Sequence, residues 1–144
     1  MRKIVAELKS RDKRLGAIID AYPLCTIGSP HKKSSNFEAL VETVISQQLA
    51  VKAADTIYAR LKELASGTVT QNSIGKISES QFRAAGVSGA KTKTIMGLTH
   101  SDINFAHLNK KSDEDIRQTL TALWGIGTWT VDMYMIFQLG RLDI

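Results

Sequence analysis

The sequence predicts an all-α protein. Apolar residues recur at the three- and four-residue intervals of a helix along most of the 144 residues, and the alternation typical of strands is nearly absent. Only two prolines, Pro23 and Pro30, punctuate the chain, which has no internal repeat and no low-complexity tract. The hydrophobic fraction of 43% and the charged fraction of 23% suit one compact domain or a large part of one. We therefore expect short helices joined by compact turns.

The first half of the chain predicts three helices. Residues 12–22 carry apolar side chains at helical spacing, and Pro23 ends that segment. Asn36 is a suitable N-cap for the next helix, and a helix from about Val51 to Leu64, closed by Ser66 and Gly67, is expected to pack antiparallel to it. The apolar face predicted for the helix after Asn36 consists of Phe37, Leu40, Val41, Val44, Ile45 and Leu49.

The second half predicts four more helices. Ser78 and Gln81 have the spacing of a capping box, with Gly86 as the stop of that helix. Ser88 opens a helix to about Thr99, in which Lys91 and Lys93 are expected to face solvent. Ser112 caps a helix with three acids in its first turn, a placement that suits the helix dipole, and an apolar helix follows over 130–139.

Charge and cysteine content narrow the class of protein. Nineteen Lys and Arg against fourteen Asp and Glu give a net charge of +5 and favour a polyanionic partner. The single cysteine, Cys25, excludes an internal disulfide framework and is expected to be a small buried or half-buried thiol. No apolar run reaches the roughly 20 residues of a membrane helix, so we expect a soluble, intracellular protein. Either a solvated face or phosphate contact accounts for the basic residues that concentrate in the amino-terminal part: Arg2, Lys3, Lys9, Arg11, Lys13, Arg14, His31, Lys32 and Lys33.

A glycine hairpin is the most informative motif. The segment 123–129 reads Leu-Trp-Gly-Ile-Gly-Thr-Trp and joins two predicted helices by only a few residues. Gly125 and Gly127 can adopt positive φ and allow close approach, while Ile126 between them can fill the gap between the helices. Backbone amides that begin the second helix at Thr128 would face an anion such as a DNA phosphate. An ordinary αα-hairpin with a glycine cap is the alternative.

Together with two earlier blocks, the hairpin resembles the helix-hairpin-helix DNA glycosylases, in particular the 3-methyladenine DNA glycosylase II type. The resemblance covers about 37–144 and rests on residues 37–54, on 82–88 with Lys91, and on 123–131 with Met133. It implies a single helix-hairpin-helix glycosylase domain over 1–144, with the hairpin at 121–139 and the carboxy-terminal part missing.

The resemblance also implies residue roles for binding duplex DNA that contains a damaged base. Such enzymes flip the base out of the helix, and Gln47 and Gln48 match the region of the wedge that fills the gap; a polar helix end facing water is the alternative. Trp129 and Met133 match the base pocket, where an indole face favours a methylated, cationic purine. Plain packing against the hairpin is the alternative for Trp129, and Trp124 is assigned to the core, as is Tyr134.

Trp129 further implies a monofunctional hydrolase. In bifunctional relatives a lysine occupies this position and forms a Schiff base with the sugar, which tryptophan cannot do. The family's catalytic aspartate follows the hairpin in a Pro-x-Asp turn and is expected just beyond Ile144, so neither Asp132 nor Asp143 is assigned catalysis. We expect about a fifth to a third of the domain to lie there, by the usual size of domains.

Cofactor, partner and location follow as expectations. No cofactor is required, but the backbone carbonyls of Thr121, Leu123 and Ile126 are expected to hold Na⁺ or K⁺ at the hairpin. The full-length protein is expected to be monomeric, with association of the shorter chain left open, and to act in the bacterial cytoplasm and nucleoid or in a eukaryotic nucleus. A non-catalytic helix-hairpin-helix DNA-binding module is the main alternative; a helical protein-interaction domain that is basic by chance is a weaker one.

Overall fold

The structure, a computed structural model, describes residues 2–24, 26–27 and 34–144, and these form helices and turns with no strand. The predictions for Cys25, Pro30 and the basic run His31 to Lys33 lie outside the described residues. In the described part the α-helices are α1 (Arg2–Arg11), α2 (Lys13–Ala21), α3 (Asn36–Ser46), α4 (Val51–Leu64), α5 (Gln71–Ile74), α6 (Glu79–Ala85), α7 (Gly89–His100), α8 (Asp113–Thr121) and α9 (Thr128–Tyr134). A 3-10 helix spans Phe105–Lys110, and a π-helical turn, Met135–Leu139, continues α9.

Helix α3 lies at the centre of the fold. It packs against α4, α7, α9 and the 3-10 helix, and Leu40, Val41, Val44 and Ile45 are fully buried. Each buried aliphatic side chain of this kind contributes about 1.5–3 kcal/mol relative to exposure, so the position of α3 is strongly fixed. The turn that follows α3 is held with it.

Two details of the predicted α3 are wrong. The N-cap is Ser35, whose hydroxyl accepts the amide of Glu38 at 3.1 Å, whereas Asn36 is the first helical residue. Asn36 is buried instead, and its side-chain amide donates to the carbonyl of Phe105 at 2.7 Å. Leu49 does not share the apolar face because the helix ends at Ser46, and its side chain is exposed.

Capping chemistry accounts for the elements that the sequence predicted well. Ser78 and Gln81 form a capping box, Gly86 ends α6 at a φ of +97°, and Ser112 caps α8 through the amide of Asp115. Three elements lacked a clear periodic signal and were missed: α1, the four-residue α5 and the 3-10 helix. Short helices offer too few positions for an apolar period to be recognised.

Helices α1 and α2 lie against each other at the amino-terminal end. Lys9 pairs with Asp20 across the two helices, and Arg11 pairs with Glu7 within α1. Two of the basic residues of this region are therefore ion-paired. No helix in residues 2–24, 26–27 and 34–144 is long and apolar enough to cross a membrane.

Candidate nucleic-acid interface

The hairpin joins α8 to α9 through residues 122–127. Gly125 has a φ of +82°, and a Cβ there would lie 2.0 Å from Oγ1 of Thr94, so this glycine permits the close approach of α7. Ile126 is 4% exposed and fills the space between the helices, as predicted. Gly127 has a φ of −97° and open space around it, so it uses neither the positive φ nor the close approach that a glycine allows.

The first amides of α9 are free of helical partners. The first helical bond runs from the amide of Val131 to the carbonyl of Gly127 at 3.2 Å, and Gly127 offers no side chain that could cap the helix. The amide of Thr128 and its two successors therefore lack intrahelical acceptors. Gly127 and Thr128 are exposed, which leaves the turn accessible to an anion.

An ion pair fixes the angle between the hairpin's two helices. Arg117 on α8 donates to Oδ1 of Asp132 on α9 through Nε at 3.2 Å and through a terminal nitrogen at 3.0 Å. Both side chains are about three-quarters buried, and two charge-assisted hydrogen bonds to one carboxylate oxygen hold the pair in place. Asp132 is thus bound to Arg117, and Asp143 is exposed near the chain end.

In the turn after α3, the side chain of Gln48 is exposed, whereas that of Gln47 makes hydrogen bonds within the protein. Gln48 has a φ of +55°, a left-handed conformation that is uncommon for a residue with a side chain, and it is exposed. The side-chain amide of Gln47 donates to Oγ1 of Thr130 at 3.1 Å and to the carbonyl of Gly125 at 3.4 Å. The two glutamines therefore differ: Gln47 joins the turn to the hairpin, and Gln48 projects from it.

Lys91 supports the same turn from α7. Its ammonium donates to the carbonyls of Ile45 and Gln47, each at 2.7 Å. The expectation that Lys91 faces solvent is therefore wrong, because the carbonyls at the end of α3 have no helical donors and attract a cation. Burial lowers the pKa of the Lys91 ammonium.

Two open grooves meet at Trp129, whose indole is 65% exposed and lines both of them. The exposure contradicts packing of Trp129 in the core. Met133 lines the first groove, of about 750 Å³, which runs between α3 and α9. The second, of about 440 Å³, lies between the turn after α3, the start of α7 and the hairpin; its walls include Gln47, Gln48, Lys91, Trp124, Gly125 and Thr130.

Glu42 is a wall residue of the first groove that the sequence analysis overlooked. Its side chain is exposed on one side, and partial burial, followed by the negative charges of Glu38 and Asp55, raises the pKa of its carboxyl. Lys62 is engaged elsewhere, since its ammonium donates to Glu38 at 2.9 Å beside the hydroxyl of Tyr58. The spacing of Glu42 from Ser46 contained a signal, because residues four apart lie on the same side of a helix and both line this groove.

Tyr134 and Trp124, the other two aromatic residues near the hairpin, differ in burial. Tyr134 is buried, as expected, and burial raises the pKa of its hydroxyl. Trp124 was assigned to the core, but its side chain is 54% exposed and the ammonium of Lys93 lies 4.3 Å from its ring centroid. The hairpin takes its core contact from Ile126 instead, which leaves Trp124 on the surface.

Metal-binding side chains do not cluster in this region. Across residues 2–24, 26–27 and 34–144, no group of three or more His, Cys, Asp or Glu side chains is arranged to hold a metal ion.

The chain is similar to several DNA glycosylases. The alkylbase DNA glycosidase-like protein mag2 of Schizosaccharomyces pombe is 26% identical over 145 residues, covering 95% of this chain and 68% of the relative. The crystal structure of DNA-3-methyladenine glycosidase from Bacillus halodurans matches with a TM-score of 0.75 and 32% identity, covering 94% of this chain and 64% of that one.

The second solved structure contains DNA. Schizosaccharomyces pombe 3-methyladenine DNA glycosylase Mag1, in complex with abasic DNA, matches with a TM-score of 0.78 and 30% identity, covering 99% of this chain and 72% of that one. The chain thus spans about two thirds of the length of these three relatives. No protein-family model matches it.

Substitutions at the two hairpin glycines are expected to have different consequences. Gly125→Ala should lower the free energy of unfolding by about 2 kcal/mol or more, because positive φ and the clash with Thr94 combine. Gly127→Val should cost less than about 1 kcal/mol, since its backbone suits any residue. Urea unfolding followed by circular dichroism measures both. In a Thr94→Ala background, Gly125→Ala should lower the free energy of unfolding by less than it does in the wild type; an equal loss in both backgrounds would contradict the clash.

Replacing Glu42 by glutamine is expected to stabilise the protein at neutral pH. A raised pKa means that the folded state disfavours the ionised carboxylate, so its penalty is present above the raised pKa and vanishes below the unfolded value. Thermal unfolding of wild type and Glu42→Gln should therefore differ at pH 7 and converge as the pH falls below that of an ordinary glutamate. Glu63→Gln, an exposed glutamate near the end of α4, is the control. A less stable Glu42→Gln variant at pH 7 would overturn this interpretation.

Proposed function

Because the chain belongs to the helix-hairpin-helix family of DNA-3-methyladenine glycosylases, we propose that it is the DNA-recognition part of a monofunctional base-excision repair enzyme. The reaction is hydrolysis of the N-glycosidic bond of alkylated purines such as 3-methyladenine. The observation that carries this proposal is the exposed Trp129, which stands between the projecting turn of Gln48 and the hairpin. In this proposal a single domain over 1–144 supplies Trp129, the turn of Gln48 and the hairpin.

Base flipping is divided between the hairpin and the turn after α3. The free amides that begin α9 at Thr128 bind a backbone phosphate and hold the duplex in register. Gln48 enters the space vacated by the flipped base, where its amide can hydrogen-bond the orphaned partner base. Gln47 and Lys91 hold this turn against the hairpin and α7, so the wedge has a fixed support.

The first groove receives the flipped base. The exposed face of Trp129 stacks on it, and a cation over an indole gains about 0.5–2 kcal/mol that a neutral purine lacks. Met133 supplies a polarisable apolar wall to the same groove. The carboxylate of Glu42 adds a negative charge to this groove. Stacking and charge together favour purines made cationic by alkylation over the neutral bases of intact DNA.

The site around Trp129 does not suit Schiff-base formation by a lysine. A Schiff base needs a free amine at the sugar, and Trp129 stands at the family's lysine position. Lys91, which lines the second groove, is bound to two carbonyls. Hydrolysis without strand cleavage is therefore the proposed outcome, leaving an abasic site.

The proposed reaction passes through an oxocarbenium-like sugar, which a carboxylate stabilises while water adds. Asp132 is bound to Arg117 and Asp143 is exposed, so neither described aspartate of the hairpin region suits this role. We place the catalytic aspartate in the part of the relatives' length that this chain does not span. The same observation favours the second candidate function, a non-catalytic DNA-binding module.

A monovalent cation fits the end of α8. Thr121 is the last residue of that helix, and no described amide donates to its carbonyl; the carbonyl of Leu123 accepts only the amide of Ile126, at 3.2 Å. With the carbonyl of Ile126 these are neutral oxygen ligands of the kind that Na⁺ or K⁺ prefers. When bound, the ion would add positive charge beside the phosphate site.

The partner in this proposal is duplex DNA with a damaged base, bound by a monomer of the full-length protein. Such DNA places the protein in the bacterial cytoplasm and nucleoid or in a eukaryotic nucleus.

Binding preference tests the wedge. The chain should bind a duplex carrying an abasic-site analogue more tightly than an intact duplex, and Gln48→Ala should reduce that preference by about threefold to tenfold, the worth of one net hydrogen bond. Fluorescence anisotropy measures both affinities. Gln48→Gly, which suits the positive φ, should show the same loss. Affinity for intact duplex should stay nearly unchanged in both variants. Asn72→Ala, on α5, is the control and should leave the affinity for both duplexes unchanged. Retention of the preference in Gln48→Gly would assign the Ala effect to the backbone.

Excision tests the enzyme. Protein expressed from the natural gene, with any codons that follow Ile144, should release 3-methyladenine from methylated duplex DNA and leave the strand intact until alkali is added. Trp129→Ala should slow release about tenfold or more, because stacking contributes about 1–3 kcal/mol per base. DNA binding without release would favour the non-catalytic module. A covalent adduct trapped by borohydride would contradict monofunctional hydrolysis.

A further inference from the structure

Trp124 and Lys93 form an exposed pair at the edge of the hairpin that neither the wedge nor the base groove uses. The ammonium of Lys93 lies 4.3 Å from the centroid of the indole, and the indole is 54% exposed. The two residues come from different elements, α7 and the turn after α8. The pair therefore presents a large apolar face and a positive charge together at the surface.

The pair lies close to two proposed DNA contacts, Gln48 and the hairpin. Trp124 lines the second groove together with Gln48, and it immediately precedes Gly125 of the hairpin. A duplex that contacts both Gln48 and the amide of Thr128 must pass over the surface between them. Such a path takes the DNA backbone over Trp124, whose ring contacts Lys93.

The charge of Lys93 is available for a ligand. No carboxylate among the described residues lies within ion-pair distance of its ammonium, whereas Lys91, one helical half-turn away, is bound to two carbonyls. Contact with the indole restricts the long lysine side chain without neutralising it. The entropy that a free lysine would lose on binding an anion is thereby partly lost beforehand.

We propose that Lys93 and Trp124 form a second contact to the DNA backbone beside the hairpin, with Lys93 binding a phosphate and Trp124 as the platform that holds it. The proposal rests on the proposed function, because it takes its orientation from DNA bound at the hairpin and at Gln48. It assigns Trp124 a part in docking the duplex, distinct from the stacking of a flipped base on Trp129.

The test is the salt dependence of binding to a fluorescein-labelled duplex that carries an abasic-site analogue. One phosphate contact contributes about 0.9 to the slope of log K against log salt, which corresponds to roughly eightfold in affinity at 0.1 M salt. Lys93→Gln should therefore weaken binding about eightfold there and reduce the slope by about one. Lys110→Gln, an exposed lysine of the 3-10 helix, is the matched control and should leave the slope unchanged.

Substitutions of Trp124 separate its role from that of the lysine. Trp124→Leu should weaken binding about twofold to fivefold, because the lysine side chain must then be ordered on binding, while most of the slope remains. Trp124→Phe should recover part of the affinity because it keeps an aromatic face. In a Trp129→Phe background Trp124 is the sole tryptophan, and its fluorescence should change when the duplex saturates the protein.

The outcomes distinguish this proposal from the proposed function. If wild type binds the duplex and Gly127→Val weakens binding, but Lys93→Gln keeps the parental slope or the fluorescence of Trp124 is unaffected by DNA, the second contact is overturned and the hairpin role stands. If wild type does not bind duplex DNA at any salt concentration, both fall. Circular dichroism of each variant establishes that it is folded.

Discussion

The assembly of the candidate site depends on the close approach of α7 to the hairpin at Gly125. Only a residue without Cβ permits it, because Oγ1 of Thr94 occupies the place where that atom would lie. The contact brings α7 against the hairpin turn, and three further interactions surround it. Lys91 reaches the end of α3, Lys93 reaches Trp124, and the amide of Gln47 reaches the carbonyl of Gly125. Elements that are distant in the sequence thus meet at Gly125, where there is no side chain to keep them apart.

The polar contacts around this approach have a common cause. The end of α3 and the hairpin turn both contain backbone carbonyls without helical donors, and groups of this kind must find partners when they are buried. Lys91 serves the carbonyls of Ile45 and Gln47, and Gln47 serves that of Gly125. Satisfying these groups uses Gln47 and Lys91 fully and leaves Gln48 and Lys93 free. The same requirement that stabilises the fold therefore selects which residues remain available for a ligand.

Much of the fold could be predicted from the sequence, because capping residues and helical periodicity act locally. Ser78, Gly86 and Ser112 cap or end helices where the pattern indicated, and Ile126 fills the hairpin. The predictions that were wrong concern residues whose contacts come from distant segments of the chain.

Asn36 and Lys91 have sequence patterns typical of a cap and of an exposed lysine, but each binds a carbonyl from a distant segment. Trp124 was assigned to the core on its size alone, and no local pattern reveals that Ile126 already occupies that space. Glu42 escaped notice because its significance lies in the groove it lines with Trp129, a juxtaposition of α3 and α9 that periodicity does not contain.

Charge is distributed unevenly between the two grooves, and this has a consequence for recognition. The second groove contains the ammonium of Lys91, with Lys93 at its edge beside Trp124, and it lies next to the free amides of α9, so it presents positive potential to a phosphate backbone. The first groove contains the carboxylate of Glu42, whose pKa is raised by partial burial and by the charges of Glu38 and Asp55. DNA approaching this surface would be attracted by its backbone on one side of Trp129, while a cationic base would be attracted on the other. The indole at the junction of the two grooves separates these opposite potentials, which suits a protein that must hold the strand and extract the base at the same time.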